Sequence, residues 1–146
     1  MKKQKDIVKA ILLNDKKKIF LIEYSEKFYD LPGGSVEPGE DLESALLREL
    51  DEETGFKNFK ILEKIAKKRI EYKRRGEDFW GNIYCFTVEL VNDEFSEQSD
   101  PEKEKFEKYN YSWVDLDYAI EKIDRDEPRN QAMKEFLIGY KNKIKK

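Results

Sequence analysis

The sequence contains no histidine, so acid–base chemistry near neutral pH must use carboxylates, Lys, Tyr, a thiol or metal-bound water. It has a single cysteine, Cys85, which excludes an intrachain disulfide and a cysteine-rich zinc site. It has no basic excess either: 29 Lys and Arg face 32 Asp and Glu, a formal charge of -3. A general nucleic-acid binder usually shows a basic face or block, so that class is disfavoured, whereas a small anion could still meet a locally positive site. No apolar run approaches membrane-spanning length, and Lys9 interrupts the short one that follows the basic start Met1–Asp6. That start is not a signal peptide, and a cytoplasmic protein is expected. What is abundant is charge, at 42% of residues against 38% hydrophobic. The 13% of aromatic residues supply large buried areas, enough for one core in 146 residues, and one domain over 1–146 is expected.

The order of elements suggests a mixed sheet with helices on its faces. Ile7–Leu13 and Lys18–Tyr24 are expected strands joined by a turn at Asn14–Lys17. Leu31-Pro32-Gly33-Gly34 and Glu37-Pro38-Gly39 are breakers, and a helix is expected from Asp41, its N-cap, to Thr54, with Gly55 as C-cap. Phe59–Tyr72 and Phe79–Val91 are predicted strands around a hairpin loop at Arg74–Glu77. Asn92–Glu104 is polar and acidic, as a mobile loop would be. A short strand at Tyr111–Val114 and helices over Leu116–Ile123 and Asn130–Lys145 complete the prediction.

Chemistry concentrates between Gly34 and Phe56. On a helix Glu49, Glu52 and Glu53 stand at i, i+3 and i+4 and share one face, with Arg48 on its flank and Leu42, Leu46 and Leu50 as the adjoining apolar stripe. Like charges at this spacing destabilise a helix by a few tenths of a kcal/mol per pair. A hard divalent cation such as Mg²⁺ would offset the repulsion, since it prefers carboxylate and water oxygens. Taken alone, three glutamates in so charged a chain are more simply a solvated face.

The full pattern changes that weighting. Gly34, Glu40, Arg48, Glu49, Leu50, Glu52, Glu53, Gly55 and Phe56 fill every specified position of the Nudix box. Seven fixed identities coincide by chance on the order of once in ten million. The segment therefore resembles the Nudix hydrolase family in its MutT-like form, and Leu31-Pro32-Gly33 and the flanking hairpin are similar as well.

The resemblance implies an α/β (α+β) Nudix fold, an α/β/α sandwich around a mixed β-sheet. It implies hydrolysis of a nucleoside diphosphate linked to another moiety, with metal-activated water attacking phosphorus. Carried over to this chain, Glu49, Glu52 and Glu53 would be metal ligands for Mg²⁺, with Mn²⁺ as the alternative, and the Gly33 carbonyl would be an added ligand. Arg48 would orient the acidic cluster, Glu40 would support it, and Glu53 or Glu49 would be the general base. Relatives often add a carboxylate from a later loop, here Glu104 or Glu107.

Substrate-selecting residues are less marked. Lys67, Arg69 and Lys73 share one face of an expected strand and could reach phosphates, although a solvated edge strand explains them equally well. Phe28, Tyr29, Tyr72, Trp80 and Tyr84 are candidates for base stacking, and Tyr72 sits where diadenosine polyphosphate hydrolases of the family often carry a tyrosine. The expected partner is a small nucleotide, with nucleic acid restricted to an RNA 5′ end and no membrane. A homodimer stays open, because no stripe marks a dimer face. The rival readings are a non-catalytic Nudix-fold sensor, an isopentenyl diphosphate isomerase and a plain charged interaction domain. The complete box weighs against all three, and the lack of histidine further against the isomerase.

Overall fold

The computed structural model describes residues 2–24, 28–94 and 110–145. Its strands are β1 (Lys3–Gln4), β2 (Ile7–Leu13), β3 (Ile19–Tyr24), β4 (Phe28–Asp30), β5 (Gly33–Ser35), β6 (Phe59–Arg74), β7 (Glu77–Leu90) and β8 (Asn110–Val114). Its helices are α1 (Leu42–Thr54), α2 (Leu116–Ile123) and α3 (Pro128–Ile144).

The strands form one mixed sheet with the path β1-β7-β2-β3-β4, to which β5, β6 and β8 attach through β2, β7 and β3. The centre is the parallel pair β2–β7, in register from Ile7↔Ile83 to Leu13↔Glu89. Every residue of β2 is buried, because both faces of the sheet are covered. Side chains alternate, so Ile7, Ile11 and Leu13 join one core with Ala119, Ile123, Met133 and Leu137 of α2 and α3. Val8, Ala10 and Leu12 join a second core with Ala45, Leu46 and Leu50 of α1. The arrangement is the expected sandwich, with helices on both faces of a mixed sheet.

The sheet parts at one place. β2 and β3 are in register at Leu13↔Ile19, while the first residues of β2 take β5 as their neighbour, through Ile7↔Ser35, Val8↔Gly34 and Lys9↔Gly33. The separation leaves a cleft between the start of β2 and β4, and the site described below lies in it.

Several element boundaries differ from expectation. β1 and β4 were not anticipated, and part of the breaker cluster is strand, because Gly33 and Gly34 pair with β2. The hairpin loop contracts to Arg75 and Gly76, whose φ of 51 and 79 suit a two-residue turn that matches strand twist. α3 starts at Pro128, whose fixed φ and missing N–H fit the first helical turn. The loop expected over 92–104 lies outside the described residues from 95 onward, as do Glu104 and Glu107. Among the described residues, no helix is long and apolar enough to cross a membrane.

Candidate active site

Helix α1 carries the acidic cluster and is firmly terminated. The Asp41 carboxylate accepts the Ser44 amide at 2.8 Å, and Gly55 (φ 82) donates its amide to the Asp51 carbonyl at 3.0 Å. No basic residue occupies its last turn, where Glu52 and Glu53 sit instead. Carboxylates there oppose the negative end of the helix dipole, so this end sacrifices stability.

Arg48 organises the cluster. Its Nε and Nη2 donate to the two oxygens of Glu40, each at 2.8 Å, and Nη1 donates to Glu49 Oε1 at 2.9 Å. Nη2 also reaches the Ser35 carbonyl at 3.0 Å, and Glu52 Oε2 stands 3.6 Å from Nη1. One planar guanidinium thereby ties three box glutamates to β5, a geometry that Lys could not reproduce. The bidentate Arg48 pair, with the Glu37 amide donating to Oε1, holds the Glu40 carboxyl down at about 2. The same pairing pushes the Arg48 guanidinium further up.

Glu53 is in the opposite condition. Its Oε1 is out of contact with solvent, and burial pushes the carboxyl up to about 8. Nearby Lys9 and the Gly33 amide pull it down, while Asp30 and Glu49 raise it further.

Lys9 is the residue the sequence reading left without a role. It replaces an apolar residue in the buried β2 column, is 3% exposed, and bridges the parted sheet. Its Nζ donates to Asp30 Oδ1 and to the Leu31 carbonyl, both at 3.0 Å. The available signal was a lone Lys inside Ile7-Val8-Lys9-Ala10-Ile11-Leu12-Leu13, since a charge is kept in such a strand only when it is paired.

These groups line a cavity of about 340 Å³. Glu49 and Glu53 enter it from α1, Gly33, Gly34 and Ser35 from β5, and Lys9 and Asp30 from either side of the cleft. Tyr24, Tyr72, Lys5, Arg74 and Arg129 also contribute. Glu52 is exposed and is not among the lining residues. Of the residues expected to contact substrate, Lys67, Arg69 and Lys73 for phosphates and Phe28, Tyr29, Tyr72, Trp80 and Tyr84 for base stacking, only Tyr72 lines the cavity. Lys67 and Arg69 are exposed, with the Arg69 guanidinium 4.2 Å from the Trp80 ring centroid. They alternate with Ile70 and Tyr72 along β6, which places them on the strand's other face. Burial pushes the Cys85 thiol up, which removes it as a neutral-pH base.

Among the described residues, no three acidic, His or Cys side chains are gathered as a ready-made metal cage. The donors nevertheless suit a hard divalent cation: they are all oxygen, and a desolvated Glu53 carboxyl lies beside Glu49 and Asp30 with its charge disfavoured. Arg48 acts in this conformation as the internal counter-charge for the remainder of the cluster.

Fold and cluster together define a member of the Nudix family. The NUDIX domain model matches residues 3–137, and the chain belongs to that family, whose members generally use a divalent metal. A Bacillus subtilis protein provisionally named an 8-oxo-dGTP diphosphatase is 39% identical over 76 residues, which is 51% of this chain and 50% of that protein. An RNA pyrophosphohydrolase of Pelagibacter ubique is 38% identical over 58 residues, covering 38% of this chain and 37% of its own. The chain spans half or less of the length of the curated relatives it matches. The crystal structure of a MutT protein from Methanosarcina mazei superposes with a TM-score of 0.63 at 25% identity, covering 99% of this chain and 98% of the other.

Proposed function

We propose that this chain hydrolyses a diphosphate linkage in a nucleoside diphosphate derivative, with Mg²⁺, or Mn²⁺ in its place, as the metal. The observation that carries the reading is the meeting, in one cavity, of two box glutamates, Glu49 and Glu53, with the glycine turn of β5. When bound, the metal supplies Lewis acidity toward phosphate oxygens and charge to stabilise the transition state. Glu49, Glu52 and Glu53 would hold it, with the Gly33 carbonyl as a further oxygen. Glu52 would turn inward from its present place beside Arg48. Arg48 orients Glu49 and is itself fixed by Glu40 and the Ser35 carbonyl.

In the reaction, a water oxygen forms a bond to one phosphorus while the bridging P–O bond breaks. The water proton passes to a carboxylate, Glu53 or Glu49, and the bridging oxygen leaves on the second phosphate. We place this reaction in the cytoplasm, where nucleotide substrates and an unpaired buried Cys85 are both at home.

The test is incubation with a panel of nucleoside diphosphate derivatives, with Mg²⁺ or with EDTA, followed by chromatography of the products. Metal-dependent release of a mononucleotide that Glu53→Gln abolishes supports the reading. A panel member that binds tightly and is never cut would replace it with the sensor function.

A further inference from the structure

Lys9 occupies a position where an apolar residue would be expected. It stands in the β2 column of Ile7, Ile11 and Leu13, which pack against α2 and α3, and it is buried as they are. Among the described residues its pair with Asp30 is the most buried ion pair. Such a pair is costly to desolvate, and replacing one with well-packed apolar side chains is often neutral or stabilising. Stability alone therefore does not account for Lys9. What it holds in place does.

Both contacts of the Lys9 ammonium fall on one short stretch of chain, since Nζ donates to Asp30 Oδ1 and to the Leu31 carbonyl, each at 3.0 Å. The next carbonyl, that of Pro32, accepts the Ala10 amide at 2.9 Å, and Gly33 is the register partner of Lys9 itself. Asp30, Leu31, Pro32 and Gly33 are thus each tied to Lys9 or Ala10. This stretch is where the chain changes neighbours, because β4 pairs with β3 whereas β5 pairs with β2. Pro32 has no N–H with which to secure the crossing, so Lys9 reaches over the cleft to do it. Gly33 is where this support meets the site. It lines the cavity with Glu49 and Glu53, and its amide is a hydrogen-bond partner of Glu53.

We propose that Lys9 is a positioning residue for the metal: by tying Asp30 and Leu31 to β2 it fixes Gly33, and so holds the Gly33 carbonyl and Glu53 in place for a hard divalent cation. Mg²⁺ demands near-ideal octahedral geometry, so a displaced oxygen ligand is poorly tolerated. Residues that orient metal ligands typically account for about 10- to 100-fold in affinity. Lys9 acts through the protein, with its ammonium directed at Asp30 and Leu31. The identity of the ligands rests on the hydrolase reading above, whereas metal binding can be measured without turnover.

The probe is Mn²⁺, titrated into the whole chain and followed through the paramagnetic resonance signal of the free ion. Wild type should bind it. Lys9→Gln, whose shorter side chain reaches at most one of the two acceptors, should bind about tenfold more weakly. Charge alone predicts the reverse, because removing a cation from beside a metal site would tighten binding. Lys9→Met/Asp30→Leu removes both charges and should fold, as melting curves check, yet also bind about tenfold or more weakly. Leu137→Ala, a core truncation on α3 outside the cavity lining, should lose stability and still bind as wild type does. Either folded Lys9 variant decides the matter: binding equal to or tighter than wild type overturns the positioning role. A wild type that binds no Mn²⁺ overturns it together with the metal of the hydrolase reading. Weakened binding in the variants, without turnover of any nucleotide by wild type, supports the positioning role and overturns only the hydrolase reading.

Discussion

The Glu49 carboxylate occupies the space that a side chain at residue 34 would need. A Cβ built on Gly34 would lie 2.4 Å from both Cδ and Oε2 of Glu49. The obstacle is the end of a flexible side chain, so Gly34→Ala should fold normally and displace Glu49 toward the cavity. We expect a stability change below about 1 kcal/mol. Hydrolysis should fall by roughly ten- to hundredfold, as a misplacement near 1 Å can cause. A variant with full activity would show that Glu49 is not confined by Gly34.

Gly33, one residue earlier, should respond in the opposite way. Its φ is 145, and a Cβ would lie 2.0 Å from the Val8 carbonyl oxygen and 2.8 Å from the Lys9 Cα. Both obstacles are backbone in the central strand and cannot move aside. Gly33→Ala should therefore destabilise the protein by about 3 kcal/mol, from strain and lost β2–β5 pairing. Urea unfolding of the two alanine variants side by side is the check, and equal midpoints would contradict the argument.

Lys9 and Asp30 should behave as a unit. Their side chains are 4% and 13% exposed and their charges are 3.0 Å apart. Lys9→Met leaves the Asp30 side chain in the cleft without its partner, a loss of about 3–5 kcal/mol for a buried pair. Removing both charges in Lys9→Met/Asp30→Leu should restore most of that stability, since the desolvation cost disappears with the pair. A double variant as unstable as the sum of the two single ones would mean the residues are not coupled.

The parts legible in the sequence were those fixed by local chemistry. Asp41 and Gly55 mark the ends of α1 through capping preferences, and the spacing of Glu49, Glu52 and Glu53 places them on one face whatever the tertiary setting. The long strands of β6 and β7 follow from their composition. What escaped depends on long-range pairing. Gly33 and Gly34 look like a breaker until β2 supplies their partner, and Lys3–Gln4 is strand because β7 pairs it. The basic run was visible from Lys67 to Arg75, but which of its members face the cavity depends on the face of β6 that carries Ile70 and Tyr72. Arg129 is some 50 residues farther along the chain and reaches the cavity only because α3 packs across the sheet.

The stability of the protein should depend on pH through Glu53. Glu53 titrates near 4.5 when unfolded and near 8 in the folded, metal-free protein. The folded state therefore holds a proton that the unfolded state releases throughout that window. This contribution to stability is complete below about pH 4.5 and is lost as pH rises toward 8. The Glu40 shift, in the opposite sense, acts below pH 4.5 and leaves the window to Glu53. Between pH 5.5 and 8, in EDTA, we expect a loss of about 2–4 kcal/mol. Glu53→Gln should flatten that slope, because its amide does not ionise. A divalent cation needs the ionised carboxylate, so the rise in Tm from Mg²⁺ should be larger at pH 8 than at pH 5.5. A wild-type slope equal to that of Glu53→Gln would place the raised titration on another group.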